Sequence, residues 1–288
     1  MKKKILIFGA YGNLGTAFYL LMRNKYSIYR VGRSKNSQIV NSKLGNCKKI
    51  IENINPDFIL NLISETNVDK CERNFNLSKK LNFEYPKNIL LSMKGLSKKT
   101  KLIHISTDQV YSKIKFPLKN KEIDAKPINV YGKTKVQGER LVQKKHIVLR
   151  TNYIGKTRVK GKKFLCDWIF NSIINKKKIV GYENIYFNPL NISSLCLIIE
   201  KIFLKKIKFG VYNLGSSGLI SKYDLIKMFV KKFDKNKNVI LLKREYKHDK
   251  DKARRPLNML MNTSKLQKCA KIKFPDVLKE VRKTILEF

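Results

Sequence analysis

The chain has 288 residues, of which 63 are lysine or arginine and 21 are aspartate or glutamate, so its formal net charge is +42. This length allows one large domain or two modest ones, and a hydrophobic share of 43% is typical of a soluble globular protein. Because the lysines are spread along the whole chain and no nucleic-acid motif accompanies them, we expect no nucleic-acid partner, although the positive field favours an anionic substrate.

The cysteines lie far apart, at positions 47, 71, 166, 196 and 269, and form neither a CxxC pair nor a cluster with histidine. This dispersal argues against a disulfide framework or a zinc site and suits a reducing compartment, so we expect a cytoplasmic protein that holds no metal. The basic start and the apolar run after it mimic a signal peptide, but the run breaks at Gly9, which favours a buried first strand. No apolar run approaches the ~18 residues of a membrane span, and we expect none.

Short apolar runs alternate with amphipathic segments through the first half of the chain. The runs predict strands over residues 4–9, 26–34, 57–64, 101–111 and 146–151, the fourth of which runs into a polar turn. The segments between them predict helices over 13–24, 40–55, 69–95 and 129–141, and the third of these is one long helix or two. Nearly continuous apolar strands indicate a parallel sheet covered on both faces. We therefore predict an α/β fold with a Rossmann-type doubly wound parallel sheet over residues 1–155.

The alternation loosens in the second half of the chain, where we predict a smaller C-terminal α/β region over residues 156–288. Part of this region is expected to cross back to the first domain. Helices are predicted over 164–175, 195–204, 221–233 and 274–288, with a strand over 209–215. Ser221 is the expected N-cap of the third helix, and Trp168 is expected in the core of the second domain.

A glycine motif, GAYGNLG, spans residues 9–15 between the first strand and the first helix. Gly9 permits a tight turn, Gly12 lets the backbone approach a pyrophosphate, and Gly15 lets helix and strand pack closely. The start of the helix offers unpaired N–H groups to the phosphates. We therefore predict a dinucleotide site here, to which Tyr11, Asn13 and Leu14 also belong.

The second strand ends in VGRS and lacks the acidic residue that holds the ribose 2′-hydroxyl of NAD. Arg33 lies where a 2′-phosphate would bind, and Ser34 adds a hydrogen-bond donor. The sequence therefore favours NADP(H) over NAD(H). A solvated surface arginine is the alternative interpretation of Arg33.

Tyr131 and Lys135 lie four residues apart in a predicted helix and so share one face of it. A nearby ammonium lowers the pKa of a phenol, which otherwise exchanges its proton poorly at neutral pH. Thr107 follows Ser106 at the carboxyl edge of the fourth strand, where ligands bind in open α/β sheets. We predict that Thr107, Tyr131 and Lys135 are catalytic, whereas His104, inside that strand, is expected to be structural.

Several motifs, taken in order, resemble the extended short-chain dehydrogenase/reductase superfamily: GAYGNLG, STDQVY, YGKTK and VLRTNYIG. Within it, three further stretches resemble the dTDP-4-dehydrorhamnose reductase family. They are LNLISETNVDKCE (60–72), KPINVYGKTKVQGE (126–139) and KARRPLNMLMNTSKL (252–266). The resemblance extends over essentially the whole chain.

The resemblance implies hydride delivery from NAD(P)H to the C4 carbonyl of a nucleotide-linked 4-keto-6-deoxysugar, in deoxysugar and surface polysaccharide biosynthesis. Tyr131 would donate the proton, Lys135 would tune it and hold the cofactor ribose, and Thr107 would bind the carbonyl oxygen. Further cofactor positions implied by the family are Asn61, Leu62, Ser64 and Asn82. The implied substrate positions, toward which residues 156–288 would contribute, are Thr66, Gln109, Asn152, Tyr153, Arg254 and Arg255.

Departures from the family pattern leave alternatives open. Gln109 and Tyr153 stand where the family often has an aromatic residue and a tryptophan, so the substrate stays open. Because Asp108 directly follows Thr107, an epimerase or dehydratase of the same superfamily remains an alternative function. A non-catalytic regulatory subunit is a further alternative, although such proteins tend to lose the tyrosine or the lysine. Arg254 and Arg255 could form a structural salt bridge. The oligomeric state is open, with a homodimer as one candidate.

Overall fold

A computed structural model describes residues 1–32, 44–94, 96, 99–112 and 114–288. Its strands, in chain order, are β1 (Lys4–Phe8), β2 (Ser27–Val31), β3 (Phe58–Asn61), β4 (Lys101–Thr107), β5 (Ile147–Thr151), β6 (Tyr153–Ile154), β7 (Ile179–Tyr182), β8 (Tyr186–Phe187), β9 (Leu190–Asn191), β10 (Gly210–Leu214), β11 (Ile220–Ser221) and β12 (Leu241–Arg244). The central sheet is parallel, with the order β2-β1-β3-β4-β5-β10, which confirms the predicted fold class. The chain winds outward from β1 to β2 and then crosses to β3 on the other side of β1. Ligands bind at the carboxyl ends of strands where the winding reverses in this way.

Helices cover both faces of this sheet. They are α1 (Asn13–Met22), α2 (Leu44–Ile54), α3 (Val68–Arg73), α4 (Phe75–Lys79), α5 (Tyr85–Ser92), α6 (Val130–Val142), α7 (Leu165–Ile174), α8 (Ile192–Leu204), α9 (Lys222–Phe233), α10 (Ser264–Ala270) and α11 (Val277–Ile285). Alternate residues of β1 face opposite sides: Ile5 and Ile7 pack with α1, α8 and α10, whereas Leu6 and Phe8 pack with α2 and α5. The strands are apolar throughout because both of their faces are buried.

The segment predicted as one or two helices over 69–95 is broken more often than that. Asn74 leaves the helical region, with φ −136° and ψ 80°, and its side chain caps α4 by accepting a hydrogen bond from Leu77 N at 2.9 Å. A π-helical turn (Lys80–Glu84) then joins α4 to α5. This turn carries Asn82, which is fully buried against α6.

A second lobe packs around its own core, in which α7, α9 and α11 bury apolar side chains such as Ile169, Phe229 and Val281. Its small sheets pair β7 with β12 and β8 with β11. Ser221 caps α9 as predicted, since its hydroxyl accepts a hydrogen bond from Asp224 N at 2.9 Å. The expectation for Trp168 was wrong: its side chain is 45% exposed, because α7 turns Cys166 and Ile169 inward instead.

The C-terminal half returns to the first sheet. β10 pairs with β5, and α8 and α10 complete the core on the α1 face. The second lobe consists of the C-terminal elements that do not pack on the first sheet, chiefly α7, α9, α11 and the small sheets. Within the part of the chain that the structure describes, no helix is both long and apolar enough to cross a membrane.

Candidate functional site

The glycine motif forms a tight turn between β1 and α1. Gly9 has φ +82°, and a Cβ there would lie 2.9 Å from the carbonyl carbon of Leu62. A Cβ on Gly15 would lie 2.7 Å from Ala10 Cα, so helix and strand touch through backbone alone. Gly12 precedes the first turn of α1 in extended conformation, and a Cβ there would lie 3.3 Å from Gly9 O. The turn thus exposes backbone N–H groups at the switch point of the sheet, as a phosphate site requires.

The other predicted residues of this turn take different positions. Tyr11 stacks on Arg30, whose guanidinium carbon lies 4.2 Å from its ring centre. Leu14 is buried in the core, so only its backbone faces the turn. Asn13 is 4% exposed and accepts a hydrogen bond from Arg158 N at 2.7 Å, which ties the turn to the second lobe. Arg33 and Ser34 lie outside the described residues.

A buried polar network follows β3 and reaches α6. Ser64 Oγ donates to Asn82 Oδ1 at 2.7 Å, and Asn82 Nδ2 donates to Thr134 Oγ1 at 3.0 Å. A Cβ on Gly138 would lie 2.3 Å from Asn82 O, so α6 touches the π-helical turn through its backbone. The network therefore fixes the face of α6 that carries Tyr131 and Lys135.

Tyr131 and Thr107 meet at the carboxyl edge of the sheet. The Tyr131 phenol lies beside the hydroxyls of Thr107 and Ser64, and its side chain is 7% exposed. Burial raises the pKa of Tyr131 above its usual value, and the neighbouring hydroxyls of Thr107 and Ser64 only partly oppose this. Asn129 starts α6 at this point, because its side chain accepts a hydrogen bond from Gly132 N at 2.8 Å. Because its pKa is raised, the Tyr131 phenol is protonated at neutral pH, which is the form that can donate a proton.

Lys135 lies one turn further along α6 and is 1% exposed. Its Nζ donates to Ile105 O at 2.7 Å and lies 3.4 Å from His104 Nε2. Burial lowers the pKa of Lys135 to about 8, although Glu139 on the next turn opposes the shift. Glu139 itself is bound by Arg150, whose Nη2 lies 2.6 Å from its Oε2.

A cleft of about 750 Å³ opens beside Tyr131, between the carboxyl edge of the sheet and the second lobe. Most of the predicted substrate residues line it: Thr66, Gln109, Asn152, Tyr153 and Arg255, together with Asn13, Thr107 and Tyr131. Arg255 also pairs with Asp69 at 2.7 Å. Arg254 differs from these, because its side chain is exposed and its carbonyl oxygen accepts a hydrogen bond from Asn129.

Gln109 presents an unpaired group in this cleft. Its Nε2 donates to Met259 Sδ at 2.8 Å, whereas its Oε1 is buried and has no hydrogen-bond partner among the described residues. A buried acceptor without a partner is unfavourable by roughly 1–3 kcal/mol. A hydroxyl of a bound ligand would satisfy it.

Two charged residues of the cleft face each other across the two lobes. Asp108 is 3% exposed and accepts a hydrogen bond from Asn152, and burial raises the pKa of its carboxyl to about 6. Lys222, the first residue of α9, has its pKa lowered to about 8 by burial, while Asp108 favours its ammonium. Sequence reasoning did not single out Lys222, because only the packing of the second lobe against the first brings the start of α9 to the cleft.

The described residues contain no group of three or more His, Cys, Asp or Glu that could hold a metal ion. The cleft instead offers basic side chains, since Lys163, Lys222 and Arg255 all line it. Such a surface suits an anionic ligand.

The chain is similar in sequence and in fold to known proteins. A sequence model of the family described as RmlD substrate binding domain matches residues 2–288. A dTDP-4-dehydrorhamnose reductase of Aggregatibacter actinomycetemcomitans is 28% identical over 234 residues, which cover 77% of this chain and 76% of the relative. A dTDP-4-dehydrorhamnose reductase from Bacillus anthracis, solved in complex with NADP, superposes with a TM-score of 0.88 at 22% identity and full coverage of both chains.

A relative of another kind also matches. Methionine adenosyltransferase 2 subunit beta of Bos taurus is 29% identical over 145 residues, which cover 49% of this chain and 42% of that protein. The match spans less than half of either chain.

Proposed function

Because the chain belongs to the RmlD substrate binding domain family, we propose that it uses NADPH to reduce the C4 keto group of a nucleotide-linked 4-keto-6-deoxysugar. The observation that carries this proposal is that Tyr131 and Thr107 line the same basic cleft, with Lys135 one turn further along the helix of Tyr131. The name of the Aggregatibacter relative supports the reaction, and the Bacillus anthracis complex supports the cofactor.

The glycine turn fits a dinucleotide. The positive φ of Gly9 and the backbone contact at Gly15 leave no room for a Cβ at either position, and a Cβ on Gly12 would lie 3.3 Å from Gly9 O, so the turn is built for glycine at all three positions, as a pyrophosphate site requires. Within residues 1–155, Gly9, Gly12 and Gly15, with the backbone of α1, would hold the phosphates, and Lys135 with Ser64 and Asn82 would border the ribose and nicotinamide. The bound cofactor supplies the hydride.

The protein's own residues supply the proton and orient the sugar. Tyr131 donates its phenolic proton to the carbonyl oxygen, and its raised pKa keeps that proton in place at neutral pH. Thr107 hydrogen-bonds to the same oxygen as charge develops there; its present bond to Asp108 is a long one of 3.3 Å. The second lobe, in residues 156–288, would bind the nucleotide diphosphate through basic residues such as Lys222.

NADP(H) in preference to NAD(H) is part of the proposal and rests on Arg33 and Ser34. Replacing Arg33 by glutamine should weaken NADPH binding at least tenfold and leave NADH binding nearly unchanged, because only NADPH carries the 2′-phosphate. Equal loss for both cofactors would contradict this role. We further propose that the protein is a cytoplasmic homodimer. Light scattering of the purified protein measures its oligomeric state and so tests the dimer.

The reaction is tested by incubating the protein with NADPH and 4-keto-6-deoxysugars linked to dTDP, UDP, GDP or CDP. A reductase consumes NADPH in proportion to product, and the product has gained a hydroxyl at C4. An epimerase or dehydratase, which the buried Asp108 beside Thr107 would suit, changes the sugar without net loss of NADPH. Tight NADPH binding without turnover of any sugar would favour the regulatory-subunit alternative, which the partial match to methionine adenosyltransferase 2 subunit beta keeps open.

A further inference from the structure

The cleft has two carboxylates among its lining residues, and their surroundings differ. Asp69 forms an ion pair with Arg255 at 2.7 Å, and this bond holds its pKa below the usual value. Asp108 instead accepts side-chain hydrogen bonds from neutral groups, the Thr107 hydroxyl at 3.3 Å and the Asn152 amide. Burial raises the pKa of Asp108 to about 6. At neutral pH it is therefore ionised, yet it binds a proton roughly a hundredfold more tightly than an ordinary aspartate.

Lys222 approaches the same cleft from the second lobe. Ser221 accepts a hydrogen bond from Asp224 N at 2.9 Å, which fixes the start of α9 and with it the position of Lys222. The Lys222 ammonium lies 3.6 Å from the centre of the Phe187 ring, and no described residue accepts a hydrogen bond from it. Burial lowers the pKa of Lys222 to about 8, while Asp108 opposes this shift. At neutral pH Lys222 is therefore mainly an ammonium, which releases its proton more readily than an exposed lysine does.

These two groups are a base and an acid on opposite sides of the cleft. Asp108 follows β4 of the first lobe, and Lys222 begins α9 of the second. Each has a pKa nearer to neutrality than is usual for its type, and such groups transfer protons efficiently near pH 7. Cys166, which also lines the cleft near Lys222, does not compete with them, because burial raises the pKa of its thiol to about 12.

The base lies beside the position of the reacting carbonyl. Thr107 and Tyr131 would bind the carbonyl oxygen of the sugar, and the Thr107 hydroxyl is 3.3 Å from Asp108 Oδ1. A carbonyl acidifies the C–H groups of the two carbons next to it. The hydroxyls that bind its oxygen would also stabilise the enolate that forms when such a proton leaves. The groups needed to remove this proton therefore lie together at one point of the cleft.

We propose that the cleft has a second activity on the same substrate: Asp108 removes the proton of a ring carbon next to the C4 carbonyl, and Lys222 returns a proton to the opposite face, which inverts that carbon. The electron pair of the broken C–H bond forms the C=C bond of an enolate, and the carbonyl π electrons move to the oxygen. The carbonyl forms again when the carbon takes the Lys222 proton. Asp108 then releases its proton to water, and Lys222 regains one from water. NADPH gains and loses no electrons in this step.

Inversion precedes reduction, because the C–H group is acidic only while C4 is a ketone. Hydride transfer then fixes the inverted sugar as an alcohol. Lys222 also serves the diphosphate in the proposed complex, and since that phosphate is joined to C1 of the same ring, one ammonium can contact both. The inference rests on the proposed function for its substrate, a 4-keto sugar, but it needs no turnover of the cofactor.

Deuterium uptake separates the two activities. The protein is incubated in ²H₂O with each 4-keto-6-deoxysugar nucleotide, first without NADPH and then with it, and the sugar is analysed by mass spectrometry and NMR. Without NADPH we expect deuterium at one ring carbon next to C4, entering roughly 10²-fold faster than in protein-free buffer, and inversion of that carbon. Reduction with NADPH but no deuterium above the protein-free rate would overturn the inference and leave the proposed function intact. Neither deuterium nor reduction with any sugar would overturn both.

Two variants assign the roles of the base and the acid. Asp108→Asn keeps the size of the side chain and should lower deuterium uptake, relative to reduction, by roughly 10²-fold. Lys222→Arg keeps the positive charge, but a guanidinium does not release its proton at neutral pH, so deuterium should still enter while the carbon keeps its configuration. Binding of NADPH checks that both variants are folded. Uptake by Asp108→Asn that falls only in step with reduction, or inversion by Lys222→Arg at the wild-type rate, would contradict the assignment.

Discussion

The buried pair of Arg150 and Glu139 is expected to hold the catalytic helix to the sheet. Arg150 on β5 donates from Nε and Nη2 to both carboxylate oxygens of Glu139 on α6, at 2.6 to 3.1 Å. The two side chains are only 5% and 2% exposed. Arg150→Met keeps the apolar stem but leaves the Glu139 carboxylate buried with Ser106 as its remaining side-chain partner among the described residues.

Removing one partner of a buried ion pair destabilises a protein by roughly 3–5 kcal/mol, because the other charge stays desolvated. At roughly 2–3 °C per kcal/mol for a protein of this size, the Tm of Arg150→Met should fall by roughly 6–15 °C. Calorimetry at neutral pH measures this. Since Glu139 lies one turn beyond Lys135, kcat should fall together with stability.

The double variant Arg150→Met, Glu139→Leu is the matched control. It removes both charges, so it should recover most of the lost stability, as apolar replacements of buried ion pairs do. A single variant within ~1 kcal/mol of the wild type, or a double variant less stable than the single one, would refute the reasoning.

Three further predictions concern the cleft and the glycine turn. The folded wild type holds the Asp108 proton up to about pH 6, whereas the unfolded chain releases it near pH 3.8, so the stability of the wild type falls as the pH rises between these values. Asp108→Asn removes this fall. Chemical denaturation at pH 7 should therefore find the variant more stable than the wild type by up to about 3 kcal/mol. Gly15→Ala should destabilise the protein by roughly 1–3 kcal/mol and weaken NADPH binding at least tenfold in a fluorescence titration, because the new Cβ would lie 2.7 Å from the Ala10 backbone. Arg255→Gln should raise the KM for the nucleotide sugar several-fold with kcat nearly unchanged, whereas Arg254→Gln, whose side chain is exposed outside the cleft, should leave both constants near the wild-type values.

Local patterns made the first half of the fold predictable. The apolar strands and the glycine turn depend on neighbouring residues, and β1, β3, β4 and β5 lie where the apolar runs predicted them. Trp168 was wrongly expected in the core: it lies on the exposed side of α7, where Cys166 and Ile169 define the buried face.

The specific contacts between distant segments could not be predicted from the sequence. On one side β5 pairs with β10, which lies some sixty residues later in the chain, and only the folded sheet shows this pairing. Lys222 reaches the cleft only because the second lobe packs against the first. Asn61 and His104 were expected to serve the cofactor and the structure separately, and their pairing across the sheet is what joins them to Lys135.

The central claim is that Tyr131 donates the proton in an NADPH-dependent reduction of a nucleotide-linked 4-keto sugar. The most direct test compares NADPH oxidation by wild type, Tyr131→Phe and Tyr29→Phe, the last a partly exposed tyrosine of β2 outside the cleft. We predict that Tyr131→Phe loses activity by about 10²–10⁴-fold while its affinity for NADPH is retained, and that Tyr29→Phe stays active. A Tyr131→Phe protein that reduces the sugar at the wild-type rate would contradict the account.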